Sequence, residues 1–199
     1  MTDTGLGVGG GAIVVRPRLI VVAGPSGVGK TSVLTELRRR YPDFYFSVSV
    51  TTRPPRPGEI DGTHYHFVDN PTFDKMIGDN QLLEHAEYAG NRYGTLRRPV
   101  EQAVDQGKPA LLEIEVQGAR QVRAAWPGAF MVMIQPPSWE VLVERLTGRG
   151  TENPEVVERR LAAAKDELSA SEEFDAVIVN ADVNAAAGQL LTLIAEPRS

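Results

Sequence analysis

The chain of 199 residues contains no cysteine, which removes disulfides, thiolate zinc sites and cysteine nucleophiles together without identifying a compartment; the cytoplasm is the default expectation. It also lacks an excess of positive charge, since 21 Lys and Arg stand against 26 Asp and Glu for a net charge of -5. No nucleic-acid partner bound by a broadly basic surface is expected, because such binding rests on many Lys and Arg contacts to phosphates. Any phosphate ligand has to meet a local basic cluster instead. Long apolar runs are missing as well. The first fifteen residues, MTDTGLGVGGGAIVV, have neither the basic start nor the apolar length of a signal peptide or membrane anchor, so no membrane partner is expected. They read as a flexible glycine-rich tail. Histidine is scarce, and His64, His66 and His85 show neither metal-ligand spacing nor a compelling serine partner.

What is present is an ordinary globular composition, 42% hydrophobic and 24% charged, in a chain long enough to bury a sizeable core. Residues 18–23 form a short apolar run ending at a glycine, which suits a buried parallel strand, and 31–40 read as a helix. Further apolar runs at 110–114, 130–134 and 176–179 alternate with helical stretches near 97–107, 117–125, 138–147, 155–170 and 184–195. That alternation predicts an α/β fold with a mainly parallel sheet flanked by helices. Between about 49 and 95 the pattern breaks at Pro54, Pro55, Pro57, Gly58 and Gly62, while residues 65–68 suggest short strands, as expected of an inserted substrate subdomain. Residues 148–154, GRGTENP, interrupt two helical stretches and read either as a hinged closing loop or as a plain surface turn.

Gly24-Pro25-Ser26-Gly27-Val28-Gly29-Lys30-Thr31 matches GxxxxGK[ST] directly after a predicted strand and at the start of a predicted helix. Glycines at this spacing let successive backbone N–H groups turn toward phosphate oxygens, and the helix N-terminus adds partial positive charge. All eight residues are therefore candidates for ATP binding. Lys30 is assigned to the β- and γ-phosphates, and the Thr31 hydroxyl to a bridging Mg2+. The loop does not reveal the acceptor, since hydrolases, motors and kinases share it.

From Phe46 the chain reads FSVSVTTRPPRPGEIDGTHYHFV, followed by LLEHAEYAGNRYGT, LLEIEVQGAR, ERLTGRGTENPEVVERRL and VIVNAD. In order and spacing these segments resemble the guanylate kinases over nearly the whole chain after the tail. The resemblance implies a P-loop NTPase-like core (16–48, 99–143 and 161–199), a GMP-binding subdomain (49–98) and a mobile lid (144–160). It implies Mg2+-dependent transfer of the ATP γ-phosphoryl group to GMP, with the two nucleotides as small-molecule partners and oligomeric state left open. By the same resemblance Arg53, Arg56, Tyr65 and Tyr93 surround the GMP phosphate, and Ser49, Glu84 and Thr95 lie near the guanine ring. A carboxylate there can accept from N1–H and the exocyclic amine, donors that adenine lacks. In the lid, Arg149 and Arg160 are implied at the transferring phosphates with Arg145 as a third, although Arg145 and Arg159 also read as helix-surface arginines paired with Glu144, Glu152 or Glu158. Asn180 is implied at the adenine pocket.

Two acids depart from the family pattern, which usually has aspartates where this chain has Glu113 and Glu115. The first is implied at the Mg2+ water shell and the second at the GMP end, with direct or water-mediated contact left open by the extra methylene. Val50 stands where a serine commonly occurs. Other readings are a kinase for another nucleoside monophosphate, a P-loop hydrolase and a non-catalytic guanylate-kinase-like binding module. The Arg53, Arg56, Tyr65, Glu84 and Tyr93 set argues against the first two, and the intact Lys30-Thr31 loop against the third.

Overall fold

The computed structural model describes residues 18–88, 90–147 and 154–195, with the side chains of 154–156 excepted. The expected N-terminal tail and Arg149 of the expected lid lie outside these residues. The central strand β1 (Leu19–Ala23) is buried along its whole length. With β2 (Tyr45–Phe46), β7 (Ala110–Glu113), β8 (Phe130–Gln135) and β9 (Ala176–Val179) it forms a five-stranded sheet ordered β2-β7-β1-β8-β9. Every pairing in it is parallel, with Val22 opposite Glu113 on one side and Val132 on the other. Strands covered on both faces can be apolar at successive positions, which is why LIVVA and FMVMIQ read as continuous runs.

The two-residue period of a strand then divides β1 between two cores. Ile20 and Val22 pack in one cluster with residues of α1 (Lys30–Arg40), α5 (Trp139–Thr147), α6 (Pro154–Ser169) and α7 (Val183–Ala195). Leu19, Val21 and Ala23 face the other way, onto α3 (Arg97–Asp105) and α4 (Val116–Ala125), which contribute Val100, Ala103, Ala119 and Val122.

A second sheet, ordered β4-β3-β6-β5, holds β3 (Ser49–Thr51), β4 (His66–Phe67), β5 (Leu82–Tyr88) and β6 (Asn91–Leu96). It packs on α2 (Asn70–Gly78) around Val50, Phe73 and Leu82. The sequence reading assigns short strands to this region and no helix. The structure shows that Asp69 caps α2 by accepting from the Thr72 N–H at 2.9 Å, with a proline in the first turn where its missing N–H is harmless.

Candidate active site

Where β1 ends, the chain turns into α1 through a loop whose glycines are required by crowding as well as by dihedral angle. Gly24 has φ of 142°, and a Cβ there would overlap the Ile134 carbonyl. Gly29 has φ of 90°, and a Cβ would come within 2.5 Å of the Asn180 amide nitrogen. The loop is anchored from below: buried Asn180 donates to the Val28 carbonyl at 2.7 Å, and Arg145 donates to the same oxygen and to the Asn180 carbonyl, both at 3.3 Å. Thus the side chains of Asn180 and Arg145, expected at the adenine and the transferring phosphates, are engaged with the loop backbone. Lys30 donates to the Gly24 and Pro25 carbonyls, Arg160 to the Ser26 hydroxyl at 2.8 Å, and the Thr31 hydroxyl to Glu113 at 2.6 Å.

The expected guanine-facing residues come together through strand register. Ser49 on β3 is opposite Thr95 on β6, which is opposite Glu84 on β5, so three residues far apart in sequence form one row. The Thr95 hydroxyl donates to Glu84 Oε1 at 2.7 Å, and Glu84 is only 5% exposed. Burial pushes the Glu84 carboxyl up to about 7 against the opposing effect of the Thr95 bond, with the nearby charge of Glu115 adding to the rise.

Tyr93 lies two residues before Thr95 and therefore on the same face of β6. Its ring meets that of Tyr65 edge-on at 6.1 Å, and the Arg53 guanidinium lies 5.3 Å from the Tyr65 centroid. Arg53 is held by Glu59 at 2.7 Å and by the Pro54 carbonyl at 2.8 Å, while the other Glu59 oxygen accepts the Arg56 N–H at 2.7 Å. These two bonds hold Glu59 down to about 2. The Arg56 side chain is exposed.

The two ends adjoin. Burial and the negative charge of Glu113, which binds Thr31 of the loop, both raise the Tyr65 hydroxyl. Glu115, raised by burial, feels the ammonium of Lys30 in the opposite direction and itself acts on Glu84.

A model of the family described as guanylate kinase matches residues 16–197. The chain belongs to the guanylate kinase family. It is 60% identical over 180 residues to a guanylate kinase of Thermobifida fusca, covering 90% of this chain and 92% of that one. A guanylate kinase of Streptomyces coelicolor is 57% identical over 178 residues, covering 89% and 90%. The crystal structure of guanylate kinase from Anaplasma phagocytophilum superposes with a TM-score of 0.74 at 33% identity, over 91% of this chain and 86% of that chain. The P-loop NTPase architecture read from the sequence is therefore that of a guanylate kinase.

Sequence reasoning missed three residues that the structure brings to the candidate site. Glu59 lies inside the recognised motif, but only its bonds to Arg53 and Arg56 reveal that it orders the arginine loop. Glu167 on α6 is pushed up to about 7 by burial and by the charge of Glu115, opposed by Lys30. One of its oxygens is buried with no hydrogen-bond partner among the described residues. Nothing in the local sequence distinguishes it from the other acids. Gln121 on α4 brackets the backbone of His85 on β5, donating to its carbonyl at 2.6 Å and accepting from its N–H at 3.1 Å.

Proposed function

We propose that the chain is an ATP:GMP phosphotransferase, in which the glycine loop holds ATP and the Ser49, Thr95 and Glu84 row selects guanine. The single observation that carries this reading is the buried Glu84 carboxyl, fixed through one oxygen by Thr95 and near enough to feel the charge of Glu115, which in turn feels Lys30 of the phosphate-binding loop. A carboxylate so placed can accept from both N1–H and the exocyclic amine of guanine. Adenine would leave its other oxygen buried and unpaired, a cost of about 1–3 kcal/mol or more for a charged group.

The attacking atom is an oxygen of the GMP phosphate, already ionised near neutral pH, so no strong general base is needed. Arg53 and Arg56 bind that phosphate with Tyr65 and Tyr93 as neutral donors, and Glu115 faces the GMP end. The chain's task is to align two highly charged phosphates and to compensate the charge spread over the transferred group. Lys30 and Arg160 supply positive charge there, with Arg149 assigned the same role from the resemblance and Arg145 supporting the loop. Asn180, beneath the loop, keeps its backbone positioned for ATP. The Thr31 hydroxyl and Glu113 carboxylate, 2.6 Å apart, offer the hard oxygen donors that Mg2+ prefers, Glu113 directly or through water. When bound, Mg2+ would neutralise charge on the β- and γ-phosphates. Residues 144–160 act as the lid over 16–48, 99–143 and 161–199, with GMP bound by 49–98, and the enzyme works in the cytoplasm.

The test is a coupled ADP-release assay with ATP and Mg2+, comparing GMP with AMP, CMP, UMP and dTMP. GMP-dependent turnover that falls about 10²-fold or more in Lys30→Ala is expected. Folded protein that shows no GMP stimulation would overturn the proposal.

A further inference from the structure

Gly118 lies in the first turn of α4 and is buried. A glycine inside a helix is a cost relative to alanine, because it brings extra backbone freedom to the unfolded chain and no side-chain packing. Its conformation does not explain it, since Gly118 is not among the described glycines with positive φ. Nor is it required by the β5 backbone, since none of the three heavy atoms nearest a Cβ at Gly118 is a backbone atom. The three nearest heavy atoms to a Cβ built at Gly118 are Oε2, Cδ and Cγ of Glu84, with Oε2 in overlap, Cδ at 3.1 Å and Cγ at 3.5 Å. What requires the missing side chain is the tip of one carboxylate.

That carboxylate has little freedom to yield. Its other oxygen accepts from Thr95, and Glu84 is buried. Nor is the helix free to withdraw, because Val116, Ala119 and Val122 are buried on it. One turn along, Gln121 clamps the backbone of His85, the residue after Glu84. Residues three apart share a helix face, so Gly118 and Gln121 act together: the amide fixes the distance between α4 and β5, and the glycine leaves room at that distance for the acid.

We propose that Gly118 is a positioning residue for guanine selectivity, whose bare Cα holds the Glu84 carboxylate, against Thr95, in the orientation that meets both N1–H and the exocyclic amine. This rests on the reading of Glu84 as the guanine acceptor. A methyl group at position 118 turns Oε2 away from the base edge without touching the phosphate-binding loop.

The experiment compares kcat/KM for GMP and for inosine monophosphate, which keeps N1–H but lacks the exocyclic amine, in Gly118→Ala, Glu84→Gln, Glu84→Asp and the Gly118→Ala/Glu84→Asp double variant. Thermal melting and the KM for ATP are followed alongside. Gly118→Ala is expected to fold, to keep its KM for ATP, and to lose about tenfold in kcat/KM for GMP with a smaller loss for inosine monophosphate. In the Glu84→Asp background, where the acid is one methylene shorter, the added methyl should cost less than about threefold, since a relieved clash leaves little to couple. A GMP to inosine monophosphate ratio unchanged by Gly118→Ala, or an equal loss in the aspartate background, overturns the proposal. If Glu84→Gln itself leaves the ratio unchanged, the reading of Glu84 falls too; if Glu84→Gln collapses the ratio and Gly118→Ala does not, only the role of Gly118 falls. Should the single alanine variant not fold, the double variant measured against Glu84→Asp decides the same question.

Discussion

On the proposed reading, the phosphate end of the site is mostly backbone: a loop of eight consecutive residues, shaped by Gly24, Gly27 and Gly29 and anchored at Val28 by Asn180 and Arg145. At the proposed guanine end it is side chains, set on three strands of a second sheet and brought level by register. The difference follows from the ligands. A triphosphate offers repeated, equivalent oxygens that successive N–H groups can meet, whereas a purine edge is told apart by the placement of individual donors and acceptors. General recognition can therefore be written in a short contiguous motif, and discrimination cannot.

The sharpest way to break that contrast is at Arg160, which reaches the loop through Ser26 from outside it. Arg160→Ala should lower kcat about 10²-fold or more while leaving the KM for GMP nearly unchanged, measured by the coupled assay at saturating ATP. If the KM for GMP rises instead, the arginine serves the acceptor end. Glu84→Gln should reduce kcat/KM for GMP by about 10²-fold and leave the KM for ATP intact, separating the two ends kinetically.

A smaller effect distinguishes them by pH. Because burial raises Glu84 to about 7, its carboxyl holds a proton more tightly in the folded chain than in the unfolded one. Its contribution to stability is thus greatest below the unfolded carboxylate range and is lost as pH climbs through about 7. In its proposed role Glu84 meets GMP in the ionised form, so GMP binding should strengthen as pH rises through about 7, by about tenfold from pH 6 to pH 8 beyond the titration of the nucleotide phosphate. Isothermal titration would show the slope, and Glu84→Gln should flatten it. The least effect is expected at Asn180→Ala, which removes one of two donors to the Val28 carbonyl: about 1 kcal/mol of stability by denaturant melts, with a modest rise in the KM for ATP and none for GMP.

The same contrast explains what is legible in the sequence. The buried strands and the helices of the large sheet can be read because each is a local run with its own period, and the phosphate loop because its residues are adjacent. Ser49, Glu84 and Thr95 emerge only through the resemblance, since register is a property of strand pairing and leaves no mark on any one strand. Helix α2 is hidden by its own capping residues, which look like a turn. Gly118, Glu59 and Gln121 act only through the partners they meet in three dimensions.

Arg53 is already partnered by Glu59 and by the Pro54 carbonyl, with two of its five donors so engaged. An arginine with a carboxylate companion attracts a distant anion weakly, because the pair seen from beyond a Debye length is close to neutral. In its proposed role, its contribution is felt only on arrival, when the donors not engaged by Glu59 and Pro54 meet phosphate oxygens without having to be ordered. The rate of GMP capture should accordingly depend less on ionic strength than the number of arginines around the site would suggest.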